Sequence, residues 1–200
     1  MAVIDPLTTA RLHLRGVTMA DAPAMQKNFA DYEIIRHLTA RVPWPYPPDG
    51  ARAFLQSLLP VQGQDHWVWA LFLNDAPDET IGIVDLWRGD VDNRGFWLAR
   101  RLWGQGLMTE ATDAVTDYAF DVLGFERLVL CNAVGNARSR RIKEKAGATF
   151  LRVEPAHFVD PVFTEHEVWE LRRTAWAARR SGTHSSATIS PICLPQPDGR

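Results

Sequence analysis

The stretch RRLWGQGLMTEATDAV, from Arg100 to Val115, holds two glycines one residue apart. Two arginines precede them and a helical pattern follows. A strand, a Gly-x-Gly turn and a helix N-terminus together make an anion site. Backbone N–H groups and the positive end of the helix dipole both point at the ligand. Glycine lets a ligand approach the backbone without meeting a Cβ. Two common phosphate loops do not fit. The Walker pattern needs Lys-Ser/Thr after its last glycine, and Leu107 stands there. The dinucleotide fingerprint needs a third small residue three positions on, and Thr109 stands there. What remains is Arg-x-x-Gly-x-Gly at Arg101, Gly104 and Gly106. By itself it also reads as a tight strand–helix turn that binds nothing.

The elements around this loop follow from periodicity. Residues 11–17, 66–74, 79–87, 94–100 and 126–134 read as strands from alternating or β-branched and aromatic runs. NDAPD joins the second and third as a hairpin. ATFLRVE and EHEVWELRR are two more strands. Helices are expected from Asp21 to about Phe29, after Asp49, and over Leu107–Val122. In the last, Leu107, Met108, Ala111, Ala114, Val115, Tyr118, Ala119 and Val122 form one stripe. Asp113, Asp117 and Asp121 repeat on another face. Asn136 caps a further helix, which Gly147 ends. The four prolines of RVPWPYPPDG, residues 41–50, make a rigid loop. The order predicts a mixed α/β fold.

Composition limits the function. The chain has 200 residues, 46% hydrophobic, with net charge −2. That fits one domain without a general basic field, which argues against nucleic acid. Cys131 and Cys193 lie far apart, so a disulfide framework is not expected, and a cytoplasmic compartment is. No signal peptide or membrane-length apolar run is visible. The domain is placed at 1–178, and 179–200, rich in Ser, Thr, Pro and Gly, reads as a disordered tail. Cys131 reads as core. The six histidines show no metal-ligand spacing, and no metal is expected.

At this point the sequence resembles a family. RRLWGQGLMTEA is similar to the pyrophosphate loop of the GNAT superfamily of N-acetyltransferases, where Q/R-x-x-G-x-G/A binds coenzyme A. NARSRRIKEKAGATF resembles the N-x-x-S…K-x-G-F segment of the RimJ/RimL-like subgroup, which acetylates ribosomal-protein N-termini. RLHLRGVTMADAPAM and the Trp44–Pro45 pair resemble the same subgroup. The resemblance spans roughly residues 9 to 175. It implies the acyl-CoA N-acyltransferase fold: a mostly antiparallel central sheet of about six to seven strands flanked by about four helices. It implies acetyl-CoA as cosubstrate and direct attack by a primary amine in a ternary complex.

The resemblance also implies roles. Backbone N–H groups from about Leu102 through Trp103, Gly104, Gln105 and Gly106 to Leu107 would hold the pyrophosphate, with Arg101 adding charge. Asn136 would bond the pantetheine arm or simply cap its helix. Some of Arg138, Arg140, Arg141, Lys143 and Lys145 would meet the cofactor's 3′-phosphate, Arg138 first among them as a cofactor contact, unless these form a solvated face. Ser139 would give the leaving thiolate a proton. An N–H near Leu98 would hold the oxyanion. A free α-amine has a pKa of about 8 and a lysine about 10.4, so a base helps. His157 falls where the subgroup carries a glutamate, with Glu165, Asp85 and Glu33 in reserve; a water chain is the other option. Trp44, Tyr46, Asp85 and Phe158 would form the acceptor pocket, with Pro45 and Phe163 beside them. The acceptor is read as a protein N-terminus, with a small amine such as an amino acid, polyamine or antibiotic as the alternative. A non-catalytic acyl-CoA sensor and an interaction domain without a cofactor stay open, as do monomer and homodimer.

Overall fold

The computed structural model describes residues 4–184. Five strands form one antiparallel sheet in the order β1 (Leu7–Thr8), β2 (Leu12–Gly16), β3 (His66–Leu73), β4 (Gly82–Trp87), β5 (Arg94–Leu98). A second antiparallel sheet has β8 (Glu165–Arg172) between β6 (Arg127–Ala133) and β7 (Thr149–Pro155). The helices are α1 (Ala22–Phe29), α2 (Tyr32–Ile35), α3 (Gly50–Leu58), α4 (Leu107–Asp121), α5 (Ala137–Ala146) and α6 (Arg173–His184). This is the expected mixed α/β fold. The described residues add the two-residue β1, the single-turn α2 and α6 to the expected elements.

β3 shows why its sequence is continuously apolar. Trp67, Trp69 and Leu71 face one core with α4, while Val68, Ala70 and Phe72 face a second core with α1 and α3. Both faces are buried, so alternation with polar residues is lost. Each fully buried side chain of this kind contributes about 1.5–3 kcal/mol. The aspartate stripe of α4 is covered by α6. Trp176 Nε1 and Arg180 both donate to Asp117 at 2.7 Å, and Arg179 pairs with Asp113 at 3.1 Å. Residues 179–184 therefore belong to a helix, not to the tail expected from 179; the rest of that tail and Cys193 lie outside the described residues. Among the described residues no helix is long and apolar enough to cross a membrane.

The segment just before β5 is stapled to β6. Asn93, just before β5, takes the N–H of Val129 on its Oδ1 at 2.6 Å and gives its own N–H to Val129 O at 2.6 Å. Its Nδ2 donates to the carbonyls of Trp87 and Gly89. Beyond this staple no ladder joins β5 to β6. Asn93→Ala would leave a buried N–H and two carbonyls unpaired. It is expected to destabilise the fold by about 2–4 kcal/mol, measured by urea unfolding; an unchanged midpoint would contradict this role.

Candidate active site

The gap between β5 and β6 is a cleft of about 430 Å³. Arg94 to Leu98 line one side, and Cys131, Asn132, Asn136 and Ser139 the other. The phase of β5 sets what it presents. Ala99 N–H bonds to Ile81 O and Trp87 N–H to Asn93 O, so alternate residues 95, 97 and 99 face β4. The N–H groups of Phe96 and Leu98 then point into the gap.

The glycine loop closes one end. Gly104 and Gly106 have φ +79° and +78°, in the left-handed region that disfavours side chains. No protein atom lies within 4 Å of where a Gly104 Cβ would stand. The tight turn therefore demands glycine, and the open space beside it leaves room for a ligand. Among the described residues, the N–H groups of Gly104, Gln105, Gly106, Leu107, Met108 and Thr109 have no protein acceptor. Those of Leu102 and Trp103 are already given to Ala99 and Arg100. The free run thus begins two residues later than expected. Six free donors at the N-terminus of a fifteen-residue helix suit a phosphate-bearing ligand. Arg11 braces the loop by donating to Gln105 O at 2.8 Å and to Glu110 at 2.7 Å.

A family model described as an acetyltransferase (GNAT) domain matches residues 11–149. The chain belongs to the GNAT acetyltransferase family. This is a family of acyltransferases whose cosubstrate is acetyl-CoA. YdaF of Bacillus subtilis, provisionally named a ribosomal N-acetyltransferase, is 37% identical over 70 residues, covering 33% of this chain and 38% of YdaF. The match thus spans well under half of that relative. The uncharacterized N-acetyltransferase p20 of Bacillus licheniformis is 27% identical over 132 residues, 62% of this chain and 71% of its own. The solved structure of RimL, named a ribosomal alpha-N-protein acetyltransferase and in complex with coenzyme A, superposes with TM-score 0.70 at 17% identity. That superposition covers 86% of this chain and 99% of RimL, and shows the shared fold.

Within this GNAT cleft, Leu98, Leu102, Trp103, Gly104, Gly106, Leu107, Asn136, Arg138, Ser139 and Phe158 are brought together. Trp103 Nε1 donates to Leu98 O at 2.8 Å, and the Arg138 guanidinium stacks 4.4 Å above the Trp103 ring. Loop and α5 therefore touch across the mouth. Asn136 Oδ1 accepts from Ser139 N at 3.2 Å, so the residue caps α5 and also lines the cleft. Gln105 sits on the loop outside the lining, and offers its N–H.

Six residues depart from expectation. Arg101 does not reach the phosphate loop: its guanidinium donates to Asn28 at 2.6 Å and Glu79 at 2.7 Å, tying β5's end to α1. His157 is exposed and outside the lining; its carbonyl, not its ring, is used, accepting from Ala40 N–H. Asp85 lies behind Gly95, 3.7 Å from His66, and closes a polar contact on the sheet face. Trp44, 43% exposed, stacks on Tyr32, and Tyr46 packs edge-on to Phe29. Both stand outside the cleft wall. Cys131 lines the cleft instead of sitting in closed core; burial and Asp92 push its thiol up to about 12, so it stays protonated.

The structure adds a residue that the motifs did not mark. His37 lines the cleft on the side of α2, together with Glu33, one of the carboxylates held in reserve as base. His37 stacks on Phe163 at 4.7 Å. Burial, then Arg36 and Arg138, lowers its pKa below 6.5, so it is neutral at pH 7. This wall is fixed because Arg36–Ala40 is laced to 157–160. Val159 N–H bonds Leu38 O, and Arg36 pairs with Asp160 at 2.7 Å. Lys143 is only 2% exposed and donates to Ser139 Oγ at 2.9 Å, so it is withdrawn from any 3′-phosphate. The signal was present: Ser139 and Lys143 are four apart and share a helix face. Burial, then Arg94, lowers the Lys143 pKa to about 7.

That shift carries a sign for stability. The folded pKa lies below the unfolded value of about 10.4, so the unfolded chain binds more protons between the two. Lys143 therefore weighs against folding most at or below pH 7, and progressively less as pH rises to about 10. Lys143→Met is expected to unfold at higher urea than wild type at pH 7. The gap should narrow by up to about 1.4 kcal/mol per pH unit as pH rises through this window. A gap that does not depend on pH would refute the assignment.

Proposed function

We propose that this chain transfers acetyl from acetyl-CoA to a primary amine by direct attack in a ternary complex, and that the amine is a protein or peptide N-terminus. The observation that carries this is a cleft in which a run of free N–H donors, two strand N–H groups and a buried serine come together. The donors of residues 104–109 hold the pyrophosphate. Asn136 and Arg138 line the pantetheine path. An N–H of Phe96 or Leu98 receives the developing oxyanion. Ser139 protonates the departing sulfur. His37, neutral near pH 7, takes the amine's proton.

The acceptor reading rests on charge. Among the cleft residues only Glu33 and Asp92 are carboxylates, too few to collect a polycationic drug. An α-amine needs less help than a lysine, because about 10% is already neutral at pH 7 for a pKa of about 8. The name given to YdaF supports the same acceptor class.

Calorimetric titration with acetyl-CoA is the first test. Wild type should bind with a micromolar Kd, and Gly104→Val should weaken binding at least about tenfold, by strain at positive φ and by filling the open space. Failure of folded wild type to bind would sink the acetyltransferase reading. Binding without acetylation of any peptide bearing a free N-terminus, followed by mass spectrometry, would leave a sensor or a small-amine enzyme. For the base, His37→Gln should lower kcat/KM about 10²-fold, and wild-type kcat/KM should fall as pH drops below 6.5. A flat acid limb, or a fully active His37→Gln, would return the role to water.

A further inference from the structure

A lysine inside a cleft wall needs a reason. Lys143 lies one turn beyond Ser139 on α5, and its Nζ hydrogen-bonds Ser139 Oγ at 2.9 Å. Ser139 lines the cleft, whereas Lys143 lies behind it and does not. Among the described residues no carboxylate stands within 4.0 Å of Nζ. An isolated buried ammonium is costly, and an apolar residue of the same length would fill the space at lower cost.

The groups facing Lys143 come from four other elements. Arg94 on β5 is 4% exposed; it donates to Thr116 of α4, and its Nε and Nη2 have no hydrogen-bond partner among the described residues. Asp92, in the loop before β5, accepts from Cys131 N–H at 2.9 Å, and burial raises its pKa. Cys131 on β6 remains a thiol. Glu167 on β8 is taken by Arg140, Asn132 and Trp169. Two buried cations therefore share the weak counter-charge of Asp92 and a carboxylate committed elsewhere. Lys143 holds its extra proton loosely, and Ser139 Oγ is its one hydrogen-bond acceptor among the described residues.

We propose that Lys143 is the proton source behind Ser139, so that a lysine–serine pair protonates the departing sulfur. The proposal rests on the reading of Ser139 as the acid. As the carbon–sulfur bond breaks, the sulfur takes the Ser139 hydroxyl proton. Ser139 Oγ takes a proton from Lys143 Nζ in the same step, which leaves a neutral amine and an intact hydroxyl. The amine acceptor has lost one proton to the base. The base releases it to solvent and Lys143 regains one from solvent, so the cycle is balanced.

The test compares wild type, Ser139→Ala, Lys143→Met, Lys143→Arg and the Ser139→Ala/Lys143→Met double variant. Substrates are acetyl-CoA and the peptide amine from the screen above. Lys143→Met should lower kcat about 10²-fold with KM for acetyl-CoA little changed. Lys143→Arg should not rescue it, because arginine keeps the charge but does not give up a proton. The double variant should be no slower than Ser139→Ala, as expected for groups that act as a unit. Wild-type kcat should fall on the basic side, where Lys143 is neutral, and Lys143→Met should lack that limb. Rescue by arginine, additive losses or a wild-type kcat for Lys143→Met would overturn the relay. A fully active Ser139→Ala would instead remove the reading beneath it. A second measurement needs no acceptor: NMR titration of the Lys143 side chain, assigned with Lys143→Met. Titration well below the ordinary lysine value, shifted in Ser139→Ala, supports the relay. Titration at the ordinary value overturns it.

Discussion

The structure depends on two strands that are pinned together at one end and then part. Asn93 and Val129 exchange hydrogen bonds at the base of the gap, and no ladder continues beyond them. An interior strand edge left unpaired inside a domain is costly unless something else uses its polar groups. Here the N–H groups of Phe96 and Leu98 are left facing the gap. The cleft, the loop beyond β5 and the cap of α5 all follow from where the strands separate. The remaining packing serves to hold that separation: β3 and β4 anchor β5 from one side, and β8 anchors β6 from the other.

Charge in this molecule divides by depth. Surface ion pairs do structural tying. Arg101 holds α1 to the end of β5, Arg11 braces the glycine loop through Glu110, and Arg179 and Arg180 clasp α6 to the aspartates of α4. Exposed pairs of this kind contribute little each, about 0–1 kcal/mol, and matter as positioners. Inside the cleft wall the balance is different. Arg94 and Lys143 sit in a low-dielectric layer with few counter-charges, which makes proton affinity there a tunable property. His37 is shifted in the same direction by burial and neighbouring arginines. His37 and Ser139, the residues proposed to take and to give a proton, thus both line one gap.

Much of this was legible from local patterns. The stripe from Leu107 to Ala119, the Asn136 cap, the Gly147 stop and the two loop glycines appear where periodicity and turn chemistry place them. These features depend on neighbours within a few residues. The glycines are needed first for the turn, which requires positive φ, and the space next to Gly104 is open. Side chains whose meaning depends on distant residues are less legible. Arg101 and Asp85 found partners on other elements, and His157 turned outward because its loop is laced to Arg36–Ala40 through backbone bonds. Lys143 looked like one more charge on a basic helix until α5 was packed on the sheet.

By itself, then, the sequence determined the order of the principal strands, the helices over α4 and α5, the glycine turn and the family, because each is set by spacing along the chain. Only the tertiary structure decided which side chains share the cleft. That choice depends on where β5 and β6 diverge and on which face each helix buries. Both are long-range packing outcomes, reached between residues far apart in sequence.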